Sequence, residues 1–367
     1  MHAAYLNPAC GIPLQGPSGA SAHVRGICAA LRSRCSLQVH SVLRSDHRGA
    51  WGPEAAACFS GLPGWPKRLG RLRDIQEIWA ARRLASQVLQ SAREQPLQLL
   101  IERHSLFSDA GWRVAEELGI PWILEVNAPL CLERSRFESL RLPWLAGRWE
   151  RDVLQAAPAI AAVSRWLAAW LREEMGCSNV RWVPNGVEAA QGCRERGRRL
   201  LGVPPAVPLA GFVGSMKPWH GVERLGRIAA DAGATLVLAG HGAPEIPGAI
   251  AGTWYDPQDL ADVVAALDVG LALYPADAPP WFCPLKVLLY RSQGLPAVCT
   301  DTGDSRELLG DGGTVVSQDH GEAVDAVRYW LGRRCRPKLR SWLDVADELL
   351  RIPTRPLGSG YIAECPG

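Results

Sequence analysis

Four stretches of this chain carry side chains suited to holding or transforming a ligand. In Gly211-Phe212-Val213-Gly214-Ser215-Met216-Lys217, an apolar run ends in glycine and opens into a loop bearing Lys217 and His220 before a helix-like start. That layout makes a plausible diphosphate cradle, and Gly240-His241-Gly242 adds a second glycine loop at a strand end. In the second stretch, apolar runs lead into Glu102, Arg103 and His104, and again into Glu125 and Asn127 with Glu133 just beyond. Charges placed there fall at the carboxyl edge of a sheet, where α/β folds bind ligands. Glu102 and Arg103 face a ligand or simply pair with each other, whereas Glu125 interrupts an apolar strand end at a desolvation cost.

The third stretch, Gly11 to Val24, is a glycine-rich loop entering a helix; it is either a ligand loop containing Gly19 or a plain tight turn. Ser21 is placed to cap that helix, and His23 is either a ligand contact or a satisfied core histidine. The fourth stretch, Trp281-Phe-Cys-Pro-Leu-Lys286-Val-Leu-Leu289-Tyr-Arg-Ser-Gln-Gly-Leu-Pro296, reads as a loop, an apolar helix and a Gly-x-Pro stop before a buried strand at 297–300. Backbone amides at its helix start, around Cys283, Pro284, Leu285 and Lys286, are placed to hold an anion. Asn185-Gly186 by itself is only a turn signal.

The elements that must position these groups alternate. Strand-like runs at 37–42, 97–101, 122–126 and 160–163 are separated by helical patterns at 22–31, 75–93 and 108–118. A second series starts near Pro208, with strands at 209–213, 235–239, 269–274, 297–300 and 313–316 and helices at 222–232, 260–267 and 322–331. The pattern specifies two Rossmann-like, doubly wound α/β domains facing across a cleft. Residues 1–190 form the first domain and 191–340 the second, with 341–367 a helix and tail that crosses back to the first. The polar, basic run at 188–205 reads as a surface linker.

Composition narrows the partners. A net charge of +3 over 367 residues does not mark a nucleic-acid binder. Eleven cysteines without a CxxC pair support neither a zinc site nor a disulfide framework and suit a reducing cytoplasm. No signal-peptide pattern or membrane-spanning run is present. Lys67, Arg68, Arg71, Arg73, Arg82 and Arg83 cluster around Trp65 and Trp79, so residues 65–83 either lie on an anionic lipid surface or form a solvated helix face.

Taken in order, GASAHV, AAVSRWL, VPNGVE, GFVGSMKPWHGVE, LVLAGHG, PLKVLLYRSQGLPAV and DSRELLGDGG resemble glycosyltransferase family 4, retaining enzymes of the GT-B fold. The IERHSLF and LEVNAPL segments are similar to a bacterial branch tied to polysaccharide assembly, and the likeness covers roughly residues 5–331. It implies a nucleotide-diphosphate sugar bound by the second domain and a glycan or lipid-linked acceptor bound by the first. Gly214, Ser215, His220, Gly240, Gly242, Cys283, Pro284, Leu285 and Leu289 then line the donor, with Asn127, Lys217 and Lys286 nearest the chemistry. Gly19, His23, Glu102, Arg103, Glu125 and Glu133 face the acceptor.

Trp281 and Leu289 occupy the two places of the family's Glu-x7-Glu element; Ser215 and His220 stand where arginine and lysine are common, and Asn127 where a histidine is common. No cofactor or metal is implied: such enzymes use no Asp-x-Asp site and this chain contains none. The expected activity is a metal-independent retaining glycosyl transfer in the cytoplasm, at the inner face of the membrane. The alternative is a weakened or non-catalytic paralogue that scaffolds or activates glycan assembly.

Overall fold

The structure is a computed structural model, and it describes residues 1–14, 18–42, 59–61, 73–188, 190–217, 220–254 and 256–357. The chain divides into two compact units at Pro184/Asn185, and again inside its last helix at Asp344/Val345.

The first unit holds β1 (His2–Asn7), α1 (Gly19–Arg32), β2 (Ser36–Ser41), β3 (Phe59–Gly61), α2 (Arg73–Glu94), β4 (Leu99–Arg103) and α3 (Ala110–Leu118). It continues with β5 (Trp122–Val126), α4 (Leu130–Phe137), α5 (Pro143–Ala156), β6 (Ile160–Ala162), α6 (Arg165–Glu173) and β7 (Val180–Trp182). All seven strands run parallel in the order β3-β2-β1-β4-β5-β6-β7. Every residue of β4 and β5 is buried, which is why these strands read as unbroken apolar runs rather than alternating ones. The strand order reverses between β1 and β4, so the loops after these two strands diverge at the sheet's carboxyl edge. Ser164 of AAVSRWL caps α6 by accepting from the Leu167 amide at 3.2 Å. Ser21 does not cap α1: the helix begins at Gly19, so Ser21 is already inside its first turn.

The second unit holds α7 (Arg194–Leu201), β8 (Leu209–Val213), a 3-10 turn (Val222–Arg224), α8 (Leu225–Asp231), β9 (Thr235–Ala239), β10 (Ile250–Gly252) and α9 (Pro257–Ala266). After these come β11 (Val269–Ala272), α10 (Leu285–Ser292), β12 (Ala297–Thr300), α11 (Ser305–Leu309), β13 (Gly313–Val316) and α12 (His320–Trp330). Six parallel strands follow the order β10-β9-β8-β11-β12-β13, with the reversal between β8 and β11. Leu209 and Val213 pack into one apolar cluster and Ala210 and Phe212 into another, so helices cover both faces of this sheet too.

The basic run read as a surface linker is instead docked structure. Arg196 binds Asp262, and Arg194 and Arg198 converge on Asp268, which holds α7 against α9 and the start of β11. The approach is close because Gly197 has no side chain: a Cβ there would lie 1.9 Å from the Asp262 carbonyl oxygen. The last helix, α13 (Trp342–Leu350), starts in the second unit and ends in the first, where Asp347 pairs with Arg34 at 2.6 Å. Among the described residues no helix is long and apolar enough to cross a membrane.

Candidate functional site

In the first unit the loops at the strand-order reversal gather a buried polar group. Glu125, on β5, is 2% exposed. Its Oε1 lies 2.6 Å from His23 Nε2 of α1, and its Oε2 accepts a 2.7 Å bond from the Tyr5 hydroxyl of β1. Burial alone would raise this carboxyl, but His23, the Arg103 guanidinium and the Tyr5 hydrogen bond hold it down at about 2. Tyr5 moves the other way: burial, then the Glu125 charge, push its hydroxyl well above the usual phenol range. His23 is therefore a satisfied buried histidine that orients a carboxylate. Sequence gave no signal for Tyr5, one more large residue in an apolar run.

Arg103 pairs with Glu125 in the register of β4 and β5, which sets both side chains on one face of the sheet. Strand alternation sends Glu102 to the opposite face, so the two do not pair with each other. Glu102 accepts from the Ser108 hydroxyl at 3.0 Å and the Gly111 amide at 3.1 Å, and burial raises its carboxyl to about 8. Expected to meet an acceptor, it is enclosed against the start of α3. His104 shares the Glu150 carboxylate with the amides of Leu130 and Cys131, which fixes the start of α4. Glu133 lies half-buried in the first turn of that helix. Asn127, one residue past β5, has an enclosed Nδ2 without a hydrogen-bond partner.

In the second unit two glycine loops interlock. The Gly214 amide donates to the Ala239 carbonyl at 2.9 Å, and the Met216 amide to the His241 carbonyl at 2.8 Å. Gly240 has φ 148°, and a Cβ there would sit 2.0 Å from the Gly214 carbonyl oxygen, so the approach demands glycine. Gly242, at φ 74°, is the other left-handed residue of this second loop.

Beside them stands Lys286, the second residue of α10. Its Nζ lies 3.9 Å from the centroid of the Phe212 ring and 4.9 Å from that of Tyr274. Burial lowers this ammonium to about 7. Among the described residues its contacts are aromatic faces, and no carboxylate bridges it. Pro284 caps α10 without a side-chain hydrogen bond, so the Leu285 and Lys286 amides lack side-chain acceptors. Cys283 accepts from the Asn185 amide at 3.3 Å, giving the Asn-Gly turn a partner in the loop before α10.

His220 departs from the expected part-time cation. Its ring packs between Phe212 and Tyr274, with centroids 5.4 Å and 5.8 Å away, and its Nδ1 lies 2.6 Å from the Ser215 carbonyl oxygen. Burial, then the neighbouring Lys286, lower it to about 3, so it is neutral at physiological pH. Trp281 is buried, and Leu289, which packs against the core cluster, offers no polar group to a ligand. Lys217 and Ser215 lie on the same loop as Gly214, at the carboxyl end of β8.

Residues 18–186 match the model of the glycosyl transferase 4-like domain. The chain is 27% identical over 268 residues to a GDP-mannose-dependent α-mannosyltransferase of Mycobacterium tuberculosis, spanning 67% of this chain and 69% of that one. Among solved structures it resembles sucrose-phosphate synthase from Thermosynechococcus elongatus, with a TM-score of 0.71 at 14% identity over 96% of this chain and 98% of that one. Anabaena HepE, solved with UDP and glucose, gives 0.61 at 15% identity over 95% and 98% of the two chains. Residues 18–186 thus match a glycosyl transferase 4-like domain, and the chain, with its two parallel Rossmann-like sheets, shares the GT-B fold of the glycosyltransferase structures it resembles.

Proposed function

We propose that the chain moves a sugar, with retention and without a metal, from a nucleotide-diphosphate sugar to a lipid-linked or polysaccharide acceptor. One observation carries the reading: Lys286, a cation with no carboxylate bridge among the described residues, stands beside two interlocked glycine loops and a helix start. A diphosphate is the ligand that such a lysine and such amides suit. Stabilising the departing diphosphate while an acceptor hydroxyl attacks from the same face is the main catalytic requirement. The solved relative with UDP and glucose supports a nucleotide-sugar donor, and the mannosyltransferase relative makes GDP-mannose a candidate.

Calorimetry with UDP, GDP and their sugars tests the reading. Binding that Lys286→Met weakens is expected, and no binding to any of them at millimolar levels overturns it. The packing of Leu289 into the core favours a second reading. At the family's ribose-binding place the chain has no glutamate, as a non-catalytic scaffold or activator would have. Tight nucleotide binding without turnover on any acceptor extract supports that alternative.

We also place the protein at the inner face of the membrane. Lys67, Arg68 and Arg71 of the basic segment lie outside the described residues, but Trp79 on α2 is 66% exposed and Trp144 at the start of α5 is 74% exposed. Exposed tryptophans beside arginines suit an anionic lipid interface.

A further inference from the structure

Arg103 is 7% exposed and its Nη1 is enclosed without a hydrogen-bond partner. No ion pair or hydrogen bond engages its guanidinium among the described residues. A guanidinium carries a fixed charge, and burying one without a partner is costly. Glu125 offsets part of that charge at longer range, but its two oxygens bond His23 and Tyr5 rather than the guanidinium. Asn127, two positions beyond Glu125, presents a second enclosed donor that is likewise unsatisfied. Two unsatisfied donors at the ends of adjacent strands, at the reversal of strand order, form a prepared receptor for acceptor oxygens.

We propose that Arg103 and Asn127 bind an anionic group, a phosphate or a carboxylate, on the acceptor, so that the enzyme selects acidic acceptors. The inference rests on reading the first unit as the acceptor-binding one. A planar guanidinium receives two oxygens of such a group at once, and the Asn127 amide donates to a free lone pair on one of them or, on a phosphate, to a third oxygen. His23 and Tyr5 hold Glu125 in place, so its oxygens bond them and Arg103 Nη1 keeps no protein partner.

The test titrates the full chain with glycerol phosphate and, separately, with glucuronate, with UDP present in excess so that its diphosphate site is occupied. One equivalent of one probe is expected to bind; which probe binds identifies the anion. Arg103→Met should weaken that binding at least ~10-fold, the loss of a bidentate charged pair. Arg103→Lys keeps the charge but loses the fork, so binding should weaken without vanishing, and it reports in place of Arg103→Met should that variant fail to fold. Lys286→Met should leave the probe's affinity unchanged.

Equal affinity in wild type and both Arg103 variants, or binding lost with Lys286→Met instead, overturns the proposal. If neither UDP nor GDP binds, the donor reading has failed, while the Arg103 comparison still scores the anion site.

Discussion

Glu125 and His23 meet at 2.6 Å across 102 residues of sequence, and both are almost fully enclosed. Their contact joins α1 to β5 at the edge where the first sheet reverses its strand order. Because the folded carboxyl sits at about 2 against an ordinary 4.5, it stabilises the fold above the unfolded value and loses that contribution as pH falls through the folded one. Chemical denaturation should therefore show stability falling between about pH 4.5 and pH 2, by roughly 3 kcal/mol from this group. Glu125→Gln should flatten that slope and cost about 1–3 kcal/mol at neutral pH, since it removes the negative charge that His23 and Arg103 face while keeping an acceptor oxygen.

Lys286 gives a slope of the same sign in a higher window, because its charged form is the one that burial disfavours. Its folded value of about 7 lies below the ordinary 10.5, so between them the unfolded chain binds the proton that the folded chain has released. Stability should rise with pH across that window, and Lys286→Met should remove the rise. Nucleotide binding should take up a proton at pH 8, visible as different calorimetric heats in buffers of different ionisation enthalpy. His220 stays neutral there and the Tyr274 hydroxyl is pushed above this range by burial, so neither masks the effect. Lys286→Met should weaken UDP or GDP by about 10- to 100-fold.

Leu289→Glu places a carboxylate where the family resemblance implies one on the ribose. A charged hydrogen bond of about 1.5–3 kcal/mol should tighten nucleotide binding by roughly 10- to 100-fold. The melting temperature should fall, because Leu289 packs against the core. Unchanged affinity would show that the ribose is held elsewhere.

Tyr290 ties α10 to the sheet below it: its hydroxyl accepts from the Val213 amide at 3.0 Å and faces the Gly211 and Leu271 carbonyls at 3.2 Å each. Tyr290→Phe leaves a buried amide unpaired, at a cost of about 1–3 kcal/mol. Thermal unfolding should register it as a loss of several degrees.

The sheets were legible because parallel strands covered on both faces leave continuous apolar runs, as at 99–101, 209–213 and 297–300. The loops after β1, β4 and β8 were legible for the same reason, since glycines and charges stand out at the ends of such runs. Which way a charge points was not. Glu102 and Arg103 are adjacent in sequence and fall on opposite faces, and only the pairing of β4 with β5 fixes which face is which. His220 reads as a phosphate cation until Phe212 and Tyr274, 8 and 54 positions away, close around it. The arginines of α7 look like linker until Asp262 and Asp268 meet them.

The exposed tryptophans make the last prediction. Arg134 binds Asp74 at 2.9 Å and also Glu77, and Asp74 accepts from the Arg141 and Leu142 amides at 3.0 Å and 3.1 Å. These bonds fasten the start of α2 to the segment before α5, which brings Ile75, Trp79, Leu142 and Trp144, all exposed, to one side of the first unit. Arg82, Arg83, Arg136, Arg141 and Arg148 are exposed around them. Rings that enter the headgroup layer and guanidiniums that meet its phosphates act together, each basic residue contributing about 1 kcal/mol near an anionic surface. Flotation with vesicles containing phosphatidylglycerol should recover the protein, and vesicles of phosphatidylcholine alone should not. Trp79→Ala with Trp144→Ala should reduce recovery several-fold at unchanged melting temperature, because neither ring is part of the core; recovery equal to wild type removes the membrane contact from the reading.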